Sequence, residues 1–188
     1  MHTFTTSQWV PFPVELVFAF FANPANLPHL TPKWQHARLE SSRILPPPAR
    51  PLAAHPAYRF QSPAAGAGSE LVISMRLLPG LPMRATWVVR ISEFVWNDHF
   101  QDELLKGPFA YWQHTHQIAR EEQTNVDGTS SEGTRITDEL QYELPFGPLG
   151  SAAHALFIRR QIVSTFAFRQ QRLSEILPVA SRQATRRQ

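Results

Sequence analysis

The chain has 188 residues, 43% hydrophobic and 11% aromatic, enough to bury one core of its own. It contains no cysteine, which excludes disulfides, cysteine-ligated zinc and thiol catalysis. The net charge is only +3 although the pI is near 9.8. The positive charge is almost entirely arginine, and its one local cluster, Arg182, Arg186 and Arg187, reads as a solvated end. No nucleic-acid partner is therefore expected, because such a partner calls for a basic stripe.

The first segment, 3–10, is rich in β-prone residues and predicts a strand. Pro13 then suits a first helical turn, and Val14, Val17, Phe18 and Phe21 recur at helical spacing until Asn23-Pro24. The apolar run 17–22 could imitate a signal core. It lacks a basic leader, and Pro11, Pro13 and Glu15 interrupt its approach, so a structural helix in a soluble, cytoplasmic protein is expected. No apolar run reaches the ~20 residues of a membrane span, so no stable membrane insertion is expected. A second short helix is expected over 24–30, and a loose strand over 34–44.

Residues 45–69 carry Pro46, Pro47, Pro48, Pro51, Pro56 and Pro63, which no regular helix or inner strand tolerates. The expectation is an insertion loop, partly polyproline II, with Tyr58 and Phe60 as anchors to the body. From Glu70 to Leu144 the pattern is all strand: segments 70–78, 82–95, 97–105, 109–121 and 132–144, separated by short turns. They form an antiparallel meander. A long helix follows from about Leu149 to Leu177, with Ile158, Ile162, Phe166, Leu173 and Leu177 in one stripe. Pro178 is expected to end it, leaving a polar basic tail at 179–188. The domain is then 1–178, a single unit of α+β class, because a run of strands is followed by one helix.

Strand parity sorts the faces. In 132–144 the odd set Arg135, Thr137, Glu139, Gln141 and Glu143 is a solvent face, so Asp138 and Tyr142 point inward with Ile136 and Leu140. In 109–118 the even set is Ala110, Trp112, His114, His116 and Ile118. In the strand before it, Phe94, Trp96, Asp98, Phe100, Asp102 and Leu104 share a face. Three neighbouring strands thus offer Asp102, His114, His116, Asp138 and Tyr142 among aromatics. Buried charges need partners. Three readings are open: a structural network in which the carboxylates orient the imidazoles, a pocket whose polar head is this cluster, and a metal site. His-X-His with two carboxylates can hold a metal, but the spacing is no specific signature. No metal or cofactor is expected. There is no Gly-rich phosphate loop, no Gly-x-Ser-x-Gly elbow and no His-Glu-x-x-His. The remaining histidines are scattered and read as surface or loop residues.

Three stretches carry a resemblance: Pro13 to Phe18 with Asn26-Leu27 and Thr31-Pro32; Phe100-x-Asp102, Gly107-Pro108 and Trp112-x-His114-x-His116; and Gly133-Thr134, Asp138, Tyr142, Pro145-Phe146-Gly147 and Gly150. From about residue 3 to 175 the chain resembles an uncharacterised bacterial subgroup of the SRPBCC superfamily. That superfamily joins START domains, the birch-pollen-allergen group and polyketide cyclases. The chain departs from its relatives at Leu104, where a glutamine is common, and in the length of the 45–69 insertion. The resemblance implies a helix-grip fold, a curved antiparallel sheet wrapped around a long C-terminal helix, with two short helices after the first strand. It also implies a small hydrophobic or amphipathic ligand between sheet and helix.

On that basis the ligand-binding residues are expected to be Trp87, Phe100, Trp112, His114, His116, Asp138, Tyr142, Phe157 and Phe166. If the protein is instead a cyclase or dehydratase, His114 or His116 serves as acid or base, Asp102 or Asp138 poises it, and Tyr142 stabilises a developing oxyanion. A non-catalytic interaction module, recruited through the Pro-rich insertion, is a third class. A homodimer is left open. Fold alone does not choose among these.

Overall fold

A computed structural model describes residues 1–51, 63–80, 82–124, 126–145 and 157–186, with side chains through residue 182. Seven strands make one antiparallel sheet: β1 (His2–Val10), β2 (Arg38–Arg43), β3 (Glu70–Arg76), β4 (Arg84–Val95), β5 (His99–Lys106), β6 (Tyr111–Thr124) and β7 (Ser130–Glu143). Their order is β1-β7-β6-β5-β4-β3-β2, so six successive strands, β2 to β7, form a meander and β1 lies beside β7. Register shifts at Leu39/Ser41, Val88/Val89 and Ile91/Glu93 bend the sheet, because an extra residue on one strand increases the local twist.

Helix α1 (Val14–Ala22) follows β1, and two short 3₁₀ turns, Pro24–Leu30 and Lys33–Gln35, lead into β2. The Asn23 side chain accepts from the Ala25 amide at 3.1 Å and so caps the first of these turns. The concave face of the sheet holds the long helix α2 (Arg159–Arg186). This is the helix-grip arrangement. Among the described residues no helix is long and apolar enough to cross a membrane.

The main core forms where α1 and the later turns of α2 meet β4–β7. Phe18, Ile118 and Leu177 are fully buried there, and Phe18 meets Phe94 and Phe100 edge-on at 5.4 and 5.9 Å. Leu71, Ile73, Trp87 and Val89 form a second cluster on β3 and β4. Leu140, Tyr142, Ile162 and Phe166 form a third, between β7 and α2.

Several expectations are corrected. The strand anticipated over 34–44 is shortened to Arg38–Arg43, because Lys33–Gln35 form a helical turn that ends on a left-handed His36 (φ 45°). Asp98 is not on an inward face. A turn with Asn97 at φ 59° separates β4 from β5, leaving the Asp98 side chain 63% exposed beside His99. α2 does not stop at Pro178 but runs through it to Arg186. Proline removes only its own amide bond, the one that would reach the Ser174 carbonyl, and the helix continues beyond that gap.

Of the Pro-rich insertion, 52–62 with Tyr58 and Phe60 lies outside the described residues, but its two flanks are built into the body. The Trp96 indole donates to the Pro48 carbonyl at 2.8 Å, and Arg50 lies over the Trp96 ring. Gly66 sits so close to Pro47 that a Cβ would fall 2.6 Å from its backbone, and Ala64 and Ala65 enter the main core.

Candidate functional site

β6 places His114 and His116 on its inner face. In the sheet register Asp102 of β5 stands opposite His114, and Asp138 of β7 stands opposite His116. Helix α2 lays Arg169 over them. The signal for Arg169 was present in the sequence: it occupies the 162–166–169–173–177 stripe as the one charged residue among apolar neighbours.

Asp138 is the hub, with 3% of its surface exposed. Its Oδ1 lies 3.0 Å from His114 Nε2, 2.9 Å from Arg169 Nη1 and 2.9 Å from His116 Nδ1. The first two are hydrogen bonds. The His116 nitrogen is near but out of line for one. An ionised carboxylate only accepts, so His114 carries its proton on Nε2. Asp102 sits on the other side of the imidazoles. Its Oδ2 is 3.7 Å from His114 Nδ1 and 3.5 Å from His116 Nε2. Aromatic rings hold this geometry. Phe100 stacks on His116 at 4.4 Å, Phe166 meets His114 edge-on at 5.4 Å, and the Arg169 guanidinium lies 4.8 Å over the Phe166 ring.

The electrostatics follow from these neighbours. Burial works to raise the Asp138 pKa, but the Arg169 charge, the His114 hydrogen bond and the close approach of His116 outweigh it and hold the carboxyl well below its usual range. Asp102 is also lowered: burial opposes, and the nearby His116 with the charges of His114 and Arg169 prevails. The two histidines diverge. Burial, reinforced by the charge of His116, pushes His114 down. Burial also opposes protonation of His116, but Asp102 and Asp138 together overcome it and push His116 up. The same two carboxylates thus face two imidazoles shifted in opposite directions.

Between sheet and α2 the described residues line a cavity of about 370 Å³. Its walls are mostly apolar, from Leu71, Ile73, Trp87, Val89, Phe109 and Trp112. Asp102, His114, His116 and Arg169 form a polar side of the same cavity. Of the residues expected to bind ligand, Trp87, Phe100, Trp112, His114, His116 and Phe166 are on this lining. Three are not. Asp138 stands behind the imidazoles. Tyr142 is 2% exposed and packs its ring against His2, Phe109 and Trp112, and burial pushes its phenol pKa up. Phe157 is 61% exposed, one residue before Ile158, which does line the cavity. Leu104, where relatives often carry glutamine, packs with the Trp87 cluster.

A curved sheet, a gripped helix and a cavity with one polar side define a helix-grip protein with an internal pocket. The chain belongs to the polyketide cyclase/dehydrase and lipid transport family, whose model matches residues 10–169. No curated protein matches the sequence. Solved structures share the fold at low identity. The Thermus thermophilus protein TTHA0849 is 17% identical with a TM-score of 0.50, over 97% of both chains. A nucleoside-diphosphate sugar epimerase from Corynebacterium glutamicum is 23% identical with a TM-score of 0.58. That match covers 97% of this chain and 30% of the epimerase. A norcoclaurine synthase point mutant from Thalictrum, in complex with a transition-state analogue, is 12% identical with a TM-score of 0.53, over 93% of this chain and 95% of that one.

Proposed function

We propose that this protein binds a small hydrophobic or amphipathic molecule in the cavity between the sheet and α2. The apolar body of the ligand lies against Trp87, Trp112 and the β3–β4 wall, and its polar group meets Asp102, His116 and Arg169. The observation that carries this reading is the cavity itself: about 370 Å³, apolar on most sides and charged on one. That volume lies in the range of small-molecule sites, and convergent polar groups in an apolar container are what orient a ligand. The family match supports the same reading.

Native mass spectrometry of protein purified without denaturation would show a co-purifying mass. Titration with an apolar fluorophore would show saturable, micromolar binding that quenches Trp87 and Trp112 emission. Val89→Trp, which fills the cavity from β4, abolishes both signals. Absence of any micromolar binding by the wild type would sink the proposal.

Catalysis of the cyclase/dehydratase kind is a second reading, favoured by one observation. His116 lines the cavity with Asp102 beside it, which is where a general acid would face a substrate. In that case Arg169, on the lining, would meet a developing oxyanion in place of Tyr142. Unchanged turnover in His116→Ala, in a screen of polyketide-like substrates, would remove it.

A further inference from the structure

The geometry points to a divalent metal site, of the kind zinc occupies, formed by Asp102, His114 and His116 at the polar side of the cavity. Asp102 Oδ2 of β5 lies close to both His114 Nδ1 and His116 Nε2 of β6, and the three residues can each offer one ligand atom within 4.8 Å of the others. The separations of 3.5 and 3.7 Å from Asp102 to the two ring nitrogens are long for charge-assisted hydrogen bonds, which close to about 2.7–2.9 Å. They are near the edge of a coordination tetrahedron. With metal–ligand bonds of about 2.0–2.1 Å, two ligand atoms of a tetrahedral site lie roughly 3.3–3.4 Å apart.

The far side of each imidazole supports the same assignment. His114 Nε2 and His116 Nδ1 both face Asp138 Oδ1, at 3.0 and 2.9 Å. A histidine that binds a metal through one nitrogen usually directs the other to a carboxylate, which fixes the ring and raises its basicity. One carboxylate stands behind both rings here, hydrogen-bonded to His114 and 2.9 Å from His116 Nδ1. An imidazole that gives its proton to Asp138 presents a lone pair at its other nitrogen. In that tautomer His114 turns its Nδ1 lone pair toward Asp102 Oδ2, 3.7 Å away, and His116 Nε2 lies 3.5 Å from the same oxygen, a space that a cation would fill. A purely structural network would be expected to bring Asp102 into hydrogen-bond contact with one ring.

Charge and access agree. Arg169 neutralises Asp138 at 2.9 Å, so the carboxylate behind the rings adds no net charge. A divalent ion held by Asp102 leaves one positive charge on the site, which an anionic oxygen from the cavity would complete. Asp102, His114 and His116 all line the cavity, so a fourth position opens toward it. Three protein ligands and one open position are the arrangement of reactive rather than structural zinc. The donor set, two imidazoles and one carboxylate, suits zinc and its first-row neighbours rather than calcium or magnesium.

Untagged full-length protein, stripped with chelator, tests this without any organic ligand. Calorimetric titration with Zn²⁺ should show one equivalent bound at micromolar affinity or tighter, and Co²⁺ should give the visible absorption of a four- or five-coordinate ion. Asp102→Asn and His116→Gln should each weaken binding by about 100-fold, and Asp138→Asn, which touches no metal, by about 10- to 100-fold. His114→Gln replaces either ligand variant that fails to give a cooperative thermal melt. No saturable binding by the wild type at millimolar Zn²⁺ would overturn the site. So would an affinity unchanged in Asp102→Asn and His116→Gln, which would place the ion on a surface histidine. Metal binding without uptake of an apolar fluorophore would leave the site standing and remove the ligand proposal.

Discussion

Replacing Arg169 with methionine tests the polar centre most directly. The substitution keeps a long apolar stem in the α2 stripe and removes the guanidinium 2.9 Å from Asp138. Asp138 is 3% exposed and Arg169 is 12% exposed at the side chain, so the lost contact lies away from bulk water. Breaking a buried ion pair by deleting one partner costs about 3–5 kcal/mol, because the other charge stays buried. The two imidazoles remain as partners, so the lower end, about 3 kcal/mol, is expected. With an unfolding entropy of about 2.1 cal/mol/K per residue, a chain of 188 residues has about 0.4 kcal/mol/K in total. The melting temperature should then fall by roughly 8 °C. Calorimetry measures it. Asp138→Asn combined with Arg169→Met should be less destabilised than the two single changes together, by at least about 1.5 kcal/mol. A fall of less than about 1 kcal/mol in Arg169→Met, with additive single effects, would show that Asp138 is not held as a buried carboxylate by Arg169.

Gly133→Ala should cost about 1–3 kcal/mol in urea unfolding. A Cβ there would come within 2.5 Å of the Val10 carbonyl and would strike the Trp9 ring, and the backbone oxygen cannot yield. An unchanged urea midpoint would contradict that packing. Pro178→Ala should raise helicity by circular dichroism, since it restores an amide bond inside α2; unchanged ellipticity would mean the turns beyond 178 are not helical in solution. In chelator, stability should peak near pH 6.5. His114 is lowered, so its contribution is complete above 6.5 and is lost as pH falls below it. His116 is raised, so its contribution is complete below 6.5 and is lost as pH rises through its folded value. The contributions of Asp102 and Asp138 persist above 3.8 and fade below it. Urea midpoints from about pH 4 to about pH 9 test this, and a steady rise from about pH 5 to about pH 8 would contradict it.

The inward faces of β6 and β7 were legible because a strand has a period of two and the odd positions of β7 are uniformly polar. The same parity puts His114, His116 and Asp138 on one inner face. Parity cannot say what lies beyond a side chain. Asp138 and Tyr142 point inward as their neighbours do, yet the cavity wall runs in front of them. Phe157, expected at the ligand, precedes α2 and is exposed, while Ile158 beside it reaches the cavity. Asp98 was grouped with Phe100 and Asp102 because a left-handed Asn97 is invisible to alternation. Arg169 is legible as the one charged residue on an otherwise apolar stripe.

The structural and ligand-binding readings of the cluster are not rivals, because its two carboxylates do different work. Asp138 lies behind the rings, bound by His114 and Arg169, and a charge so enclosed is tolerable only when its partners are fixed. Asp102 lies in front, on the cavity side, with 16% of its side chain exposed and no ring nitrogen closer than 3.5 Å. The rear carboxylate holds the imidazoles in place, and the front one leaves them room. A network built only for stability would have closed both sides. The difference of more than half an ångström between the His114 contacts of Asp138 and Asp102 is the structural reason to look for a guest at this end of the cavity, whether a metal ion or the polar group of a ligand.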